Sequence, residues 1–311
     1  MSDSRKEVGF WIYLIPVLSG VFFGMVGIFV RGLAAAGMDS MTILFARVAP
    51  AVVVLLLFLL LYDRTLLRLR LRDLWIYAVC GLVGMLMTNY CYAEAVQEVT
   101  LSLVAILIRF SSVFVILFSL PFFHEAITRR KVFCIVLALV GAVMVSGVLD
   151  QGVGSVTLRG ILLGLGAALA YALYSVFSKV AMQRGSDGFT ILFYSLLFMT
   201  AALVPLTKYR VIGTYLSAAP APHISFLLAQ SVFCVVLAYI CYLIPIRYIE
   251  VGRVSILEGS EPVAAALFGF WFFREVPTPL TIAGIAVTIG ALTILCLPER
   301  RPRRPRLRHR R

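Results

Sequence analysis

The chain has 311 residues, of which 61% are hydrophobic and 14% charged, and its mean hydropathy is +0.99. Soluble domains are about half apolar and a quarter charged. The composition therefore excludes a soluble globular protein, a disordered chain and a disulfide scaffold, and it indicates lipid as the main solvent. The net charge of +13 does not indicate a nucleic-acid partner, because the basic residues concentrate in short loops and one tail, as membrane topology requires.

Ten apolar stretches are each long enough to cross about 30 Å of hydrocarbon, which takes about 20 helical residues. We therefore predict an all-α integral membrane protein with ten transmembrane helices, called spans 1 to 10, and no soluble catalytic domain. The longest loop, 207–223, contains several prolines and is predicted to be a turn outside the membrane. The predicted spans cover residues 10–30, 41–62, 73–93, 99–120, 131–149, 158–179, 188–206, 224–246, 253–273 and 279–297.

The distribution of basic residues predicts the orientation. If the N-terminus is cytoplasmic, 21 of the 28 Lys and Arg residues lie on cytoplasmic segments and 5 on segments of the other side. This bias follows the positive-inside rule. We therefore predict a multi-pass protein of a prokaryotic plasma (inner) membrane, with a cytoplasmic N-terminus at 1–9 and a basic cytoplasmic tail at 298–311. Proline interrupts this tail, which is expected to contact anionic lipid headgroups rather than nucleic acid.

Sequence motifs recur along the chain in a constant order. Thr42–Phe45 (TILF) recurs as Thr190–Phe193 at an offset of 148, and Phe122–Glu125 (FFHE) recurs as Phe272–Glu275 (FFRE) at an offset of 150. Such an ordered series with small drifts is hard to obtain by chance. Further matches pair Arg31 with Lys179, Gly37 with Gly185, Tyr92 with Tyr242, Val113 with Val263 and Gly141 with Gly290.

These matches predict two repeats of five spans each, at 10–149 and 150–297. Because five is odd, the second repeat must enter the membrane from the opposite side, so the repeats are inverted. Inverted repeats are typical of secondary transporters, in which the substrate site lies near the bilayer midplane between the two halves. Alternating access by exchange of conformation between the halves is the expected mechanism.

Four segments carry a resemblance to a known family: Gly164–Tyr174, Ser255–Pro262, Phe272–Glu275 and the glycine-rich Ile282–Gly290. With them the chain resembles the drug/metabolite transporter superfamily, specifically its ten-helix EamA-type members, over residues 10–297. The resemblance implies transport of small metabolites, often amino acids and usually outward, and it does not specify a substrate.

Arg109 lies about ten residues into span 4, about 15 Å deep at 1.5 Å per residue, where an ionisable side chain is costly and needs a partner or a cavity. On span 9, Glu258 and Glu261 share one helix face, and Pro262 is predicted to kink the helix. The repeat pairing places Arg109 opposite Gly259, between the two glutamates. We hypothesise that Arg109 binds a substrate carboxylate and that a glutamate binds an amine or a proton. The alternative is a static ion pair that only fixes the packing.

Other residues are candidates for the walls of a substrate cavity. Ser112 lies on the small, polar face of span 4. Ser111–Ser112 stands where the second repeat has Glu261–Pro262, so the predicted site is chemically asymmetric. Arg47 either extends to the outer surface, pairs with Glu94 or takes part in binding. The amide and aromatic candidates, most of which are expected to be structural belt residues, are Asn89, Tyr90, Tyr92, Tyr171, Tyr174, Tyr239 and Tyr242.

The spacings Gly20-X3-Gly24 and Gly160-X3-Gly164 predict close helix contacts within the chain or, alternatively, at a dimer interface, so the protein is expected to be a monomer or a homodimer. Glu125 and Glu275 end their helices at loops and are expected to act in capping or topology. Six cysteines and three scattered histidines show no metal-ligand spacing, and a Walker loop and a nucleophile motif are both missing. We therefore expect no cofactor, no metal and no catalysis.

The sequence thus predicts a secondary active or facilitative transporter that exports amino acids or related small metabolites by alternating access, with protons as possible coupling ions. Two alternatives stay open. One is a multidrug or nucleotide-sugar-type carrier of the same superfamily. The other is an intramembrane lipid-modifying enzyme, which would need a catalytic cluster at the level of the lipid headgroups.

Overall fold

The computed structural model describes residues 11–68, 71–99, 101–123, 125, 127–146, 148–151, 157–274 and 276–297. Throughout these ranges the regular structure is helical and includes no strand. Nine helices of this described part are long and apolar enough to cross a membrane. They are Trp11–Ala35, Ser40–Tyr62, Leu71–Glu98, Leu103–Phe123, Leu158–Gln183, Gly188–Leu206, Pro220–Ile246, Val251–Phe273 and Pro279–Cys296, which are spans 1 to 4 and 6 to 10.

The fifth span is the 17-residue helix Arg129–Val145, which packs along span 10. The fold is therefore the predicted one, an all-α membrane protein of ten transmembrane helices. We call the membrane face where span 1 begins at Trp11 and span 10 ends at Cys296 the terminal face, and the other membrane face the opposite face.

The long loop between spans 7 and 8 was predicted to be a turn. It contains instead the helix Tyr209–Ala218. The sequence prediction overlooked the helical spacing of its apolar residues. These side chains pack against the ends of spans 1 and 2 at Leu33 and Ile43. The apolar residues of the loop helix in this contact are Val211, Ile212, Tyr215 and Leu216.

The two repeats deviate from regular helix at matching places. Span 3 contains a π-helical segment at Val79–Leu86, and span 8 contains another at Val232–Leu237. Spans 1 and 6 both end at a glycine with positive φ, which is 82° at Gly37 and 88° at Gly185; glycine adopts this conformation without a steric penalty. These two glycines are partners in the sequence repeat, which indicates that the two repeats share one fold. Because each repeat has five spans, an odd number, the second repeat crosses the membrane in the opposite direction to the first.

Packing between the repeats follows the same two-fold relation. Span 1 packs against spans 8 and 9, and span 6 packs in the equivalent way against spans 3 and 4. The glycines of both predicted motifs lie in these contacts within the chain: Gly20 lies against Ser260, Gly24 against Ala264, and Gly164 against Leu107. The first span of each repeat is therefore held against the fourth span of the other repeat.

The closest approach of spans 5 and 10 depends on two glycines. A Cβ atom on Gly284 would lie 2.6 Å from the Met144 Cβ and 2.9 Å from the Gly141 carbonyl oxygen, whereas one on Gly290 would meet nothing within 4 Å. We predict that Gly284→Ala lowers the melting temperature in detergent by separating the spans, at a cost of about 1–3 kcal/mol for overpacking. Gly290→Ala on the same helix is the matched control and should leave the melting temperature unchanged or raise it. Equal melting temperatures for both variants would contradict the packing.

Candidate functional site

Span 9 is interrupted near its middle, as Pro262 predicts. The helix Val251–Leu257 changes to a 3-10 turn at Glu258–Ser260, and a second helix continues over Glu261–Phe273. Proline has no N–H to donate to the carbonyl of Glu258, and its ring clashes with that carbonyl in a regular helix. Span 4 is interrupted at the equivalent place, between Arg109 and Ser111, without a proline. The two interruptions lie where spans 4 and 9 cross.

At this crossing the structure brings together the three predicted charged residues. The Arg109 Nη2 atom lies 2.6 Å from the Glu261 Oε2 atom, with 14% and 32% of the two side chains exposed. Glu258 is buried and accepts a hydrogen bond from the Tyr171 hydroxyl of span 6. Arg109 also lies within electrostatic range of Glu258. An ion pair inside the membrane therefore joins the first repeat to the second.

Two serines connect spans 4 and 9 beside the ion pair. The Ser112 Oγ atom lies 3.0 Å from the Ser255 carbonyl oxygen and 2.9 Å from the Ser255 Oγ atom. A cavity of about 20 Å³ borders Arg109, Ser112 and Gly259. A volume of this size has room for one water molecule and is far too small for an amino acid. The structure thus represents a state in which this space is nearly closed.

Four tyrosines from spans 6 and 8 form a layer next to Glu258, which we call the tyrosine layer: Tyr171, which is half-buried, and the buried Tyr174, Tyr239 and Tyr242. Ring centroids are 5.8 Å apart for Tyr171 and Tyr242 and 5.5 Å apart for Tyr174 and Tyr239. The Tyr242 hydroxyl lies 2.7 Å from the Ser175 Oγ atom. The expectation that most tyrosine candidates are belt residues is wrong for Tyr239 and Tyr242, which are buried in the core beside the alanine-rich helix of span 6.

Tyr92 of span 3 also lies near the ion pair. Its side chain packs against Ala95 and Val99, and its hydroxyl is within electrostatic range of Arg109 and Glu261. The repeat partner of Tyr92 is Tyr242, which belongs to the tyrosine layer on the other side of the crossing. Both predicted tyrosines of this pair therefore lie near the same charged centre.

Arg47 does not pair with Glu94, which was one of the predicted alternatives. The Arg47 Nη2 atom donates to the Asn89 Oδ1 atom at 3.1 Å. Glu94 instead lies 3.8 Å from the exposed Arg159 at the start of span 6. The sequence places Glu94 near the outer end of span 3 but does not show that the start of span 6 is its neighbour there.

Buried ion pairs join the two repeats at the terminal face, and sequence reasoning did not find them. The Glu125 Oε1 atom lies 2.9 Å from the Lys179 Nζ atom and 3.1 Å from the Val251 backbone nitrogen, which donates to it. Glu125 was expected to act in capping or topology. It caps a helix of the other repeat, the first helix of span 9, by accepting from the Val251 backbone nitrogen. Glu275 lies outside the described residues.

A second ion pair, with a buried lysine and a half-buried glutamate, lies at the same face. The Lys131 Nζ atom is 2.8 Å from the Glu250 Oε2 atom, and the Lys131 side chain is only 2% exposed. The Arg253 Nε atom donates to the same Glu250 oxygen at 2.8 Å. Burial alone would raise the pKa of Glu250, but the hydrogen bonds and charges of Lys131 and Arg253 lower it below the ordinary value of 4.5.

The ion pairs of the opposite face are more exposed than the two pairs just described, although Arg184 and Arg247 at the terminal face are also 43% and 65% exposed in their pairs with Asp73 and Asp187. Arg159 lies 2.9 Å from Glu98, and Lys208 lies 3.6 Å from Asp39, with the two cations 69% and 66% exposed. Exposed pairs contribute little to stability, whereas breaking a buried pair is costly. The two repeats are therefore held together more firmly at the terminal face than at the opposite face.

The described residues hold no group of three or more His, Cys, Asp or Glu side chains suited to a metal ion. The buried donors and acceptors near the crossing are a guanidinium, carboxylates, serine hydroxyls and tyrosine hydroxyls. These groups suit a small solute with both a carboxylate and an amine.

Comparisons with known proteins agree with this architecture. The family model for the EamA-like transporter family matches residues 9–147 and 158–297. An uncharacterized transporter of Archaeoglobus fulgidus is 27% identical over 89% of this chain and 93% of its own length. The pseudopaline exporter of Pseudomonas aeruginosa is also 27% identical, over 91% of this chain and 94% of its own length.

A solved crystal structure that is 17% identical superposes with a TM-score of 0.73, over 91% of this chain and 96% of that chain, which supports the fold. The family model covers nearly all of the chain, in two consecutive matches. The resemblance predicted from the sequence motifs is thereby confirmed. This chain belongs to the EamA-like transporter family.

Proposed function

We propose that this protein exports an amino acid or a related small zwitterionic metabolite by alternating access, with the crossing of spans 4 and 9 as its substrate site. The single observation that carries this proposal is the Arg109–Glu261 ion pair, which lies within the membrane and joins the two inverted repeats. A charge pair at this depth is costly to bury. A transporter can use such a pair, because the carboxylate of a zwitterionic substrate can replace Glu261 beside Arg109 and its amine can replace Arg109 beside Glu261.

In the proposed mechanism the substrate enters between the paired charges. Its carboxylate binds the guanidinium of Arg109, for which the planar fork is suited, and its amine binds Glu261 or Glu258. The separation of Arg109 from Glu261 then leaves neither charge uncompensated. Without a substrate, breaking such a buried pair costs about 3–5 kcal/mol, which disfavours the change between outward-open and inward-open states in the empty protein.

Coupling to protons is the second part of the proposal. A carboxylate that releases its partner can bind either a substrate amine or a proton, and Glu258 and Glu261 are the two carboxylates at the crossing. Proton exchange through one of them would make export active. Without it the protein would act as a facilitative exchanger of the same substrates.

The helix interruptions supply the proposed points of movement. Span 4 can bend at Phe110 and span 9 at Glu258–Ser260, where regular hydrogen bonding already stops. Opening the terminal face requires separation of Lys179 from Glu125 and of Lys131 from Glu250. Because one partner of each pair is buried, we infer that the state described here is closed at the terminal face.

We propose that the terminal face is cytoplasmic, that both termini therefore lie in the cytoplasm, and that the membrane is a bacterial inner membrane. The distribution of Lys and Arg supports this orientation, and the name of the pseudopaline exporter supports outward transport. A monomer or a homodimer would serve equally well, since the proposed site lies within one chain. No catalysis and no nucleic-acid partner form part of the proposal.

Substitution of the ion pair tests the site. We predict that Arg109→Ala reduces counterflow of labelled amino acids in proteoliposomes by about 30-fold or more, because removing one partner of a buried charge pair costs about 2 kcal/mol or more. The control is Arg210→Gln, which removes an exposed positive charge and should leave counterflow unchanged. The double variant Arg109→Glu/Glu261→Arg should regain the melting temperature of the wild type without regaining transport. Full transport by Arg109→Ala would remove Arg109 from the site.

The ion pair at Glu250 makes a separate prediction about pH. The pKa of Glu250 is lowered in the folded protein, so the carboxylate stabilises the fold above its ordinary pKa of 4.5 and loses that effect as the pH falls through the lowered value. The difference in melting temperature between the wild type and Glu250→Gln should therefore stay constant from pH 7 to pH 5 and shrink only below pH 4.5. A difference that already shrinks between pH 7 and pH 5 would show that the pair with Lys131 does not hold this carboxylate ionised.

A further inference from the structure

Arg47 of span 2 is a charge inside the membrane that has no acidic partner among the described residues. It lies seven residues into the span, which is about 10 Å from the opposite face at 1.5 Å per residue. Among the described residues, its one side-chain hydrogen bond goes to the neutral Asn89, and its Nε atom is buried without a partner. A guanidinium has five donor hydrogens, so most of its binding capacity is unused.

Asn89 holds this guanidinium in place. The Asn89 Nδ2 atom donates to the Met85 carbonyl of its own helix at 2.8 Å, which turns the amide oxygen toward Arg47. The amide thereby orients the guanidinium without neutralising it. A residue that only needed to stabilise a structural charge would be expected to be a carboxylate, as Glu261 is for Arg109.

A second group without partners lies on the adjoining helix. Gln230 of span 8 is 0% exposed, and within the described structure neither its amide nitrogen nor its amide oxygen has a hydrogen-bond partner. The next residue, Ser231, donates from its Oγ atom to the Arg47 carbonyl at 2.8 Å. This turn of span 8 therefore packs against the backbone of span 2 at Arg47. A buried amide without partners costs about 1–3 kcal/mol, which a bound polar ligand would offset.

Tyr239 of the tyrosine layer lies near both Arg47 and the crossing of spans 4 and 9. Tyr239 lies within electrostatic range of Arg47 and also of Glu258 and Glu261. A substrate that extends from the crossing along the tyrosine layer would therefore approach Arg47. The two arginines differ in one respect: Arg109 has carboxylates beside it, and Arg47 has none in the described part of the chain.

We propose that Arg47, positioned by Asn89 and assisted by Gln230, forms an anion subsite that binds a second carboxylate of the substrate. The inference deepens the proposed function and rests on it: Arg109 and a glutamate bind the zwitterionic end of the substrate, and Arg47 binds an additional acidic group. The preferred substrates are therefore acidic amino acids or amino-acid derivatives with a net negative charge, rather than neutral amino acids.

Glutamate and glutamine test this subsite, because they differ only in the charge of one end. In proteoliposome counterflow the wild type should carry glutamate at least about tenfold better than glutamine. Arg47→Gln should remove that preference by slowing glutamate while glutamine counterflow persists, and the charge-matched control Arg210→Gln should keep it. Equal counterflow of both solutes by the wild type, or an equal loss of both in Arg47→Gln, would overturn the subsite while leaving the transport proposal intact.

A binding measurement separates failure of the subsite from failure of the transport proposal. If neither amino acid shows counterflow, amino-acid transport is contradicted. The subsite is then tested by comparing the melting temperature in detergent with succinate and with its neutral diamide. Succinate should raise the melting temperature of the wild type and of Arg210→Gln by several degrees, but not that of Arg47→Gln. Arg47→Lys, which keeps the charge but loses the fork, should show a smaller shift and serves if Arg47→Gln does not fold. Equal shifts in all variants, or none in the wild type, would overturn the subsite.

Discussion

The high cost of an unpaired charge in hydrocarbon is the constraint on which this structure depends. On insertion scales an ionisable side chain at the centre of a membrane helix costs about 2.5–3.5 kcal/mol. Arg109 and Glu261 reduce this cost by pairing at 2.6 Å across the boundary between the inverted repeats. The pair fixes the crossing of spans 4 and 9, and the interruptions of both helices at this level leave backbone groups and hydroxyls facing the same small cavity. The proposed substrate site is a consequence of this arrangement.

The ion pairs that join the repeats differ in burial between the two faces, and this difference explains which face is closed. At the terminal face, the buried Lys131 pairs with Glu250 and the buried Glu125 pairs with Lys179, both across the repeat boundary. At the opposite face the cations are mostly exposed, and salt and water weaken such pairs. The same inverted fold can exchange the roles of its two faces only if the buried pairs separate. The free energy for that step is expected to come from the substrate, which binds the paired charges at the crossing.

Features that lipid imposes on each helix separately could be predicted from the sequence. The ten spans, the order of the repeats and the kink before Pro262 follow from hydropathy, spacing and the missing proline N–H. The meeting of Arg109 with Glu261 followed from the repeat pairing. Features that depend on which spans are neighbours could not be predicted. Glu125 caps a helix of the other repeat, Glu94 pairs with Arg159 rather than with Arg47, and Tyr174, Tyr239 and Tyr242 are buried in the core. The residue pattern of a single helix does not show which other helices it packs against.

The most direct measurement of the central claim is the accessibility of the crossing from the two sides of the membrane. A single cysteine at Ser112→Cys, in a chain whose six native cysteines are replaced, would be labelled with a membrane-impermeant maleimide in right-side-out and in inside-out vesicles. The account predicts labelling from both sides, with substrate changing the two rates in opposite directions. Labelling from one side only, or from neither, would contradict a substrate site that opens alternately between the inverted repeats.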